Sequence, residues 1–294
     1  GLNEITLLRR YLAKDSRYRA NLIPTFGRVS CHAGNPMADK AVAAGQSFAG
    51  AAFDVTPGTL FDGANLRQKV PADLAIHFNY GDPPDSGVFN DLWVAHSART
   101  FADPAKELPI TFRQVWFSFA CDWARLNPKN EVTENNWLRS SLAWPNYGLA
   151  IVGGVQWDFS PLGSGAPLAE LMRRGWSSFT EIHRFQSILG DPTLRLFRVT
   201  PVANLTATRR AETVTLSWSP SPDVGCRYYV YRSTRGLGGF SDPLNLGAPT
   251  GDLRYIDTSA PPGSTYQVRA VRLQVTGSGS FWNLSPGRVA QVPP

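Results

Sequence analysis

Cysteine and histidine are the residues of this sequence with the most evident capacity for chemistry. The chain has 3 Cys and 4 His among 294 residues, and the cysteines lie far apart, at Cys31, Cys121 and Cys226. Three cysteines allow at most one internal disulfide and leave one thiol over. The sequence contains no CxxC pair or Cys/His spacing typical of zinc, so we expect no structural zinc site. It also lacks a GxSxG, an HExxH and a Gly-rich phosphate-binding motif.

Two further features could bind a ligand. The loop of residues 81–87 carries Asp82 and Asp85, which could bind calcium or a cationic side chain, although Asp is also an ordinary turn former. Tryptophans clustered in the middle of the chain could line a carbohydrate groove or pack helices onto a sheet. They are Trp116, Trp123, Trp137, Trp144 and Trp157. Carboxylates are not paired as in a glycosidase, and no cofactor is predicted.

The elements that must position these residues change in character near residue 200. Before it, nearly continuous apolar runs predict buried strands, and helical patterns alternate with them. The strands are predicted near Arg28–His32 and over Asp73–Tyr80, Gln114–Ala120 and Leu149–Gln156, and the helices over Glu4–Tyr18, Ala38–Phe53 and Pro167–Phe179. This alternation predicts an α/β domain with a mainly parallel sheet, in which functional residues tend to follow the carboxyl ends of strands.

After residue 200, short alternating segments between Gly, Pro, Ser and Asp turns predict a β-sandwich. Its strands are predicted at Thr213–Trp218, Arg227–Arg232, Arg254–Asp257 and Thr265–Val271. Trp218 on an early strand, Tyr266-x-Val268-x-Ala270 on a late one and the segment 220–224 resemble a fibronectin type III module. In such modules the Trp fills the core between the sheets and the Tyr anchors a corner. The resemblance implies a fibronectin type III domain over residues 200–294.

The charge distribution bears on the partners of the protein. The net charge of +6 comes from 24 Arg and 5 Lys against 23 acidic residues, and no run of basic residues exceeds two. Nucleic-acid-binding proteins usually concentrate basic charge on one face, so no nucleic-acid partner is predicted. The longest apolar stretch, residues 147–157, is far shorter than the roughly 20 residues of a membrane helix. We therefore predict no transmembrane segment.

The segment Ile188–Leu196, with the sequence ILGDPTLRL, lies just before the predicted sandwich. It resembles the end of the catalytic domain of gingipain-type cysteine peptidases, which have a caspase-like α/β fold. An immunoglobulin-like module often follows that domain, and this chain has the same order. The resemblance implies a caspase-like domain over residues 1–199, with an N-terminal portion of the family domain absent from this chain. It also implies a bacterial protein that is secreted, periplasmic or on the cell surface.

In that family the nucleophilic Cys and the His that takes its proton end neighbouring strands, and the His lies within Gly-His-Gly. Cys121 matches the nucleophile because it follows the apolar run Gln114–Ala120, although a buried cysteine without chemistry would look the same. The strand Asp73–Tyr80 places Tyr80 where the His is expected. A phenol with a pKa of about 10 is a poor general base at neutral pH.

Other histidines could supply the missing base. His77 lies three residues before Tyr80 and therefore faces the other side of the strand, as a core histidine would. His96 ends another apolar run and would be the base under a different alignment. His32, which follows Cys31, is a weaker candidate, and His183 is expected to be structural.

Together these features predict a non-catalytic binding or structural subunit of an extracytoplasmic or cell-surface bacterial assembly. It would consist of a degenerate gingipain-like domain and a fibronectin type III module, with other proteins of the assembly as partners. The replaced His and a sandwich with 9 Arg and no Lys favour this hypothesis. The alternative is an active secreted cysteine endopeptidase that uses Cys121 with His96 or His77.

Overall fold

The computed structural model describes residues 4–33, 38–50, 54–59, 71–79, 107, 110–117, 142–153, 158–177 and 187–292. The chain divides into two compact units. The first comprises Gly1–Tyr18, Ile23–Leu196 and Val275–Ser280, and the second comprises Arg19–Leu22, Phe197–Gln274 and Phe281–Pro294. Division into domains at residues 199 and 200 stays a prediction.

A six-stranded mixed sheet forms the centre of the first unit. Its strands are β1 (Arg28–Ala33), β2 (Asp54–Thr59), β3 (Ala72–Asn79), β4 (Ile110–Phe117), β5 (Ala150–Gly153) and β6 (Ser187–Gly190). The order is β2-β1-β3-β4-β5-β6, with β1 to β5 parallel and β6 antiparallel to β5 at the edge. The predicted α/β class with a mainly parallel sheet is confirmed.

Strand β2 lies directly after the predicted helix Ala38–Phe53, in a stretch for which the sequence predicted no strand. The second helix ends at Ala49 rather than Phe53, and the chain then forms β2 with the sequence DVTPGT. Pro and Gly inside this run hide the strand pattern. Because β2 pairs only with β1 at the edge of the sheet, Pro57 is tolerated there.

Four helices are described in the first unit. They are α1 (Glu4–Arg19), α2 (Ala38–Ala49), α3 (Ser160–Gly163) and α4 (Leu168–Ser177). Helix α1 contacts the sheet through Tyr18, whose ring meets that of Phe112 edge-on at 5.2 Å between centroids. Helix α2 packs on β1 through Gly45, where a Cβ atom would lie 3.3 Å from Sγ of Cys31 and 3.4 Å from Val29. These contacts bury the apolar side of the sheet.

Residues 203–291 form an antiparallel β-sandwich, which belongs to the second unit apart from residues 275–280. Its strands are β7 (Ala203–Arg210), β8 (Thr213–Ser219), β9 (Arg227–Ser233), β10 (Arg254–Asp257), β11 (Thr265–Thr276), β12 (Gly279–Leu284) and β13 (Arg288–Gln291). One sheet has the order β10-β8-β7, and in the other β11 pairs with β9, β12 and β13. Trp218 and Tyr266 lie in the shared core, 5% and 0% exposed. The predicted all-β part is therefore confirmed, with both marker residues inside it.

Candidate functional site

The predicted catalytic positions follow two neighbouring strands. Strands β3 and β4 pair in parallel up to their last residues, Asn79 and Phe117, so that they end side by side. In sequence, position 80 follows β3 directly and position 121 comes four residues after β4. The candidates Tyr80, Asp82, Asp85, His96, Cys121 and His183 lie outside the described residues, and their roles stay predictions.

The sheet order reverses between β1 and β3, which is where open α/β sheets form a crevice for ligands. His32 on β1 and His77 on β3 are Cα partners at this point, near the carboxyl ends of both strands. Sequence reasoning treated the two histidines separately and missed their pairing. The signal was present, because each lies close to the end of its apolar run.

Cys31 lies beside this position, and its thiol is buried. The side chain is 1% exposed, and Sγ donates to the carbonyl oxygen of Ala41 at 3.3 Å. Burial raises the pKa of the Cys31 thiol to about 12. Because the thiolate is the nucleophile, this cysteine is expected to remain inert at neutral pH.

A buried lysine holds the loop that precedes β5. Lys14 on α1 is 1% exposed, and four backbone carbonyl oxygens within hydrogen-bond distance of its Nζ share the three N–H donors. The acceptors are Leu142 at 3.0 Å, Trp144 at 3.0 Å, Tyr147 at 2.6 Å and Gly148 at 3.0 Å. An ammonium group can be buried only when such partners replace its hydration. Lys14 therefore acts as a tethered cation around which the loop folds.

Two buried carboxylates accept hydrogen bonds from backbone N–H groups at the amino ends of the parallel strands, where the Lys14 loop also lies. Glu107 accepts hydrogen bonds from the backbone N–H groups of Asn146 and Tyr147 at 2.8 and 2.7 Å. Asp73, the second residue of β3, accepts from the N–H groups of Phe26 and Gly27 through Oδ2, at 3.0 and 2.7 Å. At the amino ends of the strands, these carboxylates order the backbone.

The segment Ile188–Leu196, which carries the resemblance to gingipain-type peptidases, forms a structural turn in this protein. Gly190 has a φ of 104°, and a Cβ there would lie 2.2 Å from the carbonyl oxygen of Leu149, so only glycine fits. Asp191 Oδ1 accepts from the backbone N–H and the hydroxyl of Thr193, and the Asp191 N–H donates to Tyr11 Oη at 2.6 Å.

The segment Ile188–Leu196 also caps the amino end of α4. The N–H groups of Leu168 and Ala169 donate to the carbonyl oxygens of Leu194 and Pro192, both at 2.9 Å. The first N–H groups of a helix have no partner within the helix, so this contact supplies acceptors that α4 itself lacks. The motif therefore joins β6, α1 and α4.

In the sandwich, Tyr266 anchors a corner through a carboxylate. Tyr266 Oη donates to Asp257 Oδ2 at 2.6 Å, and Arg232 Nη1 donates to the same oxygen at 2.7 Å. Burial alone would raise the pKa of Asp257. Hydrogen bonds from Tyr266, the Ser259 N–H and Arg232 stabilise the carboxylate more than burial disfavours it, so the pKa of Asp257 is lower than its ordinary value. Burial and the neighbouring carboxylate raise the pKa of Tyr266. The group is a structural link between the two sheets, because β10 and β11 belong to different ones.

The described residues contain neither a metal-binding cluster nor a membrane-spanning helix. Within those ranges, no group of three or more His, Cys, Asp or Glu side chains could hold a metal ion. Likewise, no helix described there is long and apolar enough to cross a membrane.

Comparison with known proteins relates about a third of the chain to fibronectin type III-like domains. No family model matches the chain, and no curated protein does. A Fn3-like protein from Clostridium thermocellum is 21% identical over 33% of this chain and 97% of its own, with a TM-score of 0.24. The FN5 domain of Drosophila Lar is 21% identical over 32% of this chain and 95% of its own, with a TM-score of 0.21. Rhamnogalacturonan lyase YesW is 26% identical over 33% of this chain and 15% of its own, with a TM-score of 0.23.

Proposed function

We propose that this protein is a non-catalytic binding subunit of a bacterial extracytoplasmic or cell-surface assembly. Its first unit would be a degenerate gingipain-like, caspase-like domain, and its second a fibronectin type III-like module. The observation that carries the proposal is the residue after β3. That strand ends beside β4, where the family expects a His to serve the nucleophile, and this chain has Tyr80 there.

The loss of the His has a defined chemical consequence. A positioned general base contributes about 10²–10⁴-fold to a rate, and a tyrosine phenol at neutral pH holds its proton. The described charged residues at the other end of the sheet, Lys14, Asp73 and Glu107, bind backbone groups. Those three residues have structural roles, so the replaced His is what favours a binding role over peptide hydrolysis.

An active cysteine endopeptidase is the second candidate. The neighbouring ends of β3 and β4 favour it, because Cys121 follows β4 in sequence while a candidate base lies on β3 or after it. His96 and His77 are the candidate bases. Carbamidomethylation of the thiols distinguishes the two functions. A cysteine reacts fast at a pH well below 8 only when the pKa of its thiol is lowered, as a catalytic cysteine requires.

The first experiment is the rate of iodoacetamide labelling of each cysteine in the native chain, from about pH 5.5 to about pH 8.5. We expect Cys121 to label below pH 8 no faster than an ordinary peptide thiol. Two thiols serve as internal references, because burial raises the pKa of Cys31 to about 12 and also raises that of Cys226.

Fast and selective labelling of Cys121 at pH 6 would overturn the proposal. The peptidase hypothesis would then have to pass a second step, in which Cys121→Ala abolishes hydrolysis of a peptide substrate. Cys226→Ala is the matched control, because Cys226 lies in the sandwich and should not affect hydrolysis.

A further inference from the structure

One sheet of the sandwich carries tyrosine and arginine side chains on the side away from the sandwich core, with Arg227 exposed and Tyr229, Tyr231 and Arg269 half-buried. Along β9, Tyr228 and Val230 are 3% and 0% exposed and point into the core. Residues 227, 229 and 231 therefore lie on the outer face. By the same alternation on β11, Gln267 and Arg269 lie on the outer face, between the buried residues 266, 268 and 270. We call Arg227, Tyr229, Tyr231, Gln267 and Arg269 the Tyr–Arg face.

The residues of the Tyr–Arg face are neighbours across the two strands. Tyr229 lies opposite Arg269, and Tyr231 lies opposite Gln267. The rings of Tyr229 and Tyr231 are 6.4 Å apart between centroids and tilted by 58°. Arg269 is fixed by a hydrogen bond from its Nε to the carbonyl oxygen of Ser285 at 2.8 Å, and its terminal nitrogens make no hydrogen bond to a described residue. The guanidinium is thus oriented while its outer donors remain available.

The charge of this sheet has one sign. Strands β9, β11, β12 and β13 contain five arginines and no Asp or Glu. The arginines are Arg227, Arg232, Arg269, Arg272 and Arg288. Arg232 and Arg288 lie opposite the buried Tyr266 and Val268, and Arg272 has the same orientation as the buried Ala270, so these three belong to the other side of the sheet. Arg227 and Arg269 are therefore the arginines of the Tyr–Arg face, and no carboxylate of these strands opposes them. A ligand that complements the sheet must carry negative charge.

Exposed apolar side chains on the same sheet indicate that the negatively charged ligand also has apolar groups. Leu273 on β11 and Trp282 on the adjacent β12 are 53% and 57% exposed, and Val289 on β13 lies opposite Gln267 at 38% exposure. Tyr, Trp and Arg are the residue types that dominate binding energy in protein interfaces. Guanidinium groups bind carboxylates with two parallel hydrogen bonds, which a lysine does not.

We propose that the Tyr–Arg face is a docking surface for an acidic protein segment that carries aromatic or apolar side chains beside its carboxylates. The proposal rests on the proposed binding function and names the surface and the partner chemistry. A protein is favoured over an acidic polysaccharide because the two tyrosine rings are steeply tilted and offer no coplanar platform for successive sugar rings.

The test measures binding of the full chain to three labelled polyanions by fluorescence anisotropy at an ionic strength of about 0.1 M. The probes are a random copolymer of glutamate and tyrosine, poly-glutamate, and polygalacturonate. We expect the copolymer to bind most tightly. The double variant Tyr229→Ser/Tyr231→Ser keeps the net charge and should weaken copolymer binding at least about tenfold. Arg269→Gln should weaken it to a similar extent.

Arg254→Gln is the matched control, since it removes an exposed arginine from β10 of the other sheet. It should change copolymer affinity by less than about twofold. An equal loss in Arg254→Gln and Arg269→Gln would show unspecific charge attraction and overturn the proposal. Tighter binding of polygalacturonate, lost in the tyrosine double variant, would replace the protein partner with an acidic polysaccharide. Absence of binding to all three probes would also refute it.

Failure here is distinguishable from failure of the proposed function. Cys121 labelling decides between a binding subunit and a peptidase without reference to the sandwich. Fast Cys121 labelling together with copolymer binding would retain the docking surface and discard the non-catalytic role. Slow labelling without binding would retain the non-catalytic role and discard this surface. Near-ultraviolet circular dichroism of each variant confirms that the sandwich is folded.

Discussion

Lys14, Asp73 and Glu107 are 1%, 4% and 7% exposed, and each is hydrogen-bonded to backbone groups of the first unit. Removing a charge from water is costly, and the cost is recovered only where several fixed dipoles face the charge. The carbonyls around Lys14 and the amides around Glu107 belong to one loop, residues 142–148. The lysine donates to the carbonyl oxygens of this loop, and the glutamate accepts from its N–H groups. At this scale the described buried charges order the backbone.

Replacing Lys14 with Met should destabilise the first unit by about 3 kcal/mol, because four carbonyl oxygens lose their donor inside the protein. Urea unfolding followed by tryptophan fluorescence measures the change. Because the ammonium occupies a cage of carbonyl oxygens, we further expect K⁺ or NH₄⁺ to restore part of the loss in Lys14→Ala, whereas choline should not. Arg9→Met, an exposed position on the same helix, is the control. A loss below about 0.5 kcal/mol in Lys14→Met would contradict this account.

Whole elements in this protein are joined by short polar links at their ends. The turn after β6 bonds to α1 through Tyr11 and to the start of α4 through the carbonyls of Pro192 and Leu194. In the sandwich, Asp257 at the end of β10 bonds to Tyr266 at the start of β11. The polar groups thus fix which ends lie together.

The Asp257 link predicts how the stability of the sandwich depends on pH. The pKa of Asp257 is lower in the folded chain than in the unfolded chain, so folding favours its ionised form. Its contribution is fully present above the unfolded pKa of about 3.9 and is lost as the pH falls through the folded pKa. Thermal unfolding from about pH 2.5 to about pH 6 should therefore show a fall in stability below about pH 4.

In Asp257→Asn, stability at pH 6 should be lower and the fall below pH 4 should be smaller. Asp252→Asn is the control, since Asp252 is exposed and contacts only the neighbouring Thr250 among described residues. An unchanged acid transition in Asp257→Asn would show that other carboxylates govern the stability of the sandwich at low pH.

At the scale of the whole molecule, each compact unit has its own core. The sandwich core contains Trp218, Tyr266 and Val230. In the first unit, Phe112, Ile76 and Trp144 are almost fully buried. A unit that buries its own apolar side chains can unfold as a cooperative unit. We therefore expect the two units to unfold in separate transitions.

Calorimetry of the full chain should show two transitions. Lys14→Met should lower the temperature of one, and Asp257→Asn that of the other, because the two residues stabilise different cores. A 1 kcal/mol loss lowers the midpoint by roughly 4–8 °C in a domain of 60–100 residues and by about 2–4 °C in a larger one, so both changes are measurable. A single transition that both variants shift equally would contradict independent cores.

The sequence by itself determined the class of each half of this chain. Continuous apolar runs are typical of strands covered on both faces, and they predicted β3, β4 and β5 within a few residues. Alternation with turn residues predicted the sandwich, and the resemblance to a fibronectin type III module predicted Trp218 in its core and Tyr266 at a corner. These signals are local. Each pattern spans only a few residues and is the same whatever the order of the strands in the sheet.

The tertiary structure alone decided which residues meet. Pairing of β1 with β3 brings His32 opposite His77, and the burial of Lys14 follows from a loop more than 120 residues away in sequence. Strand β2 escaped prediction because an edge strand tolerates Pro57, whose presence removes the local pattern. The motif of residues 188–196 did not reveal its physical role in the sequence, since the contact of Asp191 with Tyr11 is long-range. Sheet order and register are set by packing over the whole unit, which no short window of sequence contains.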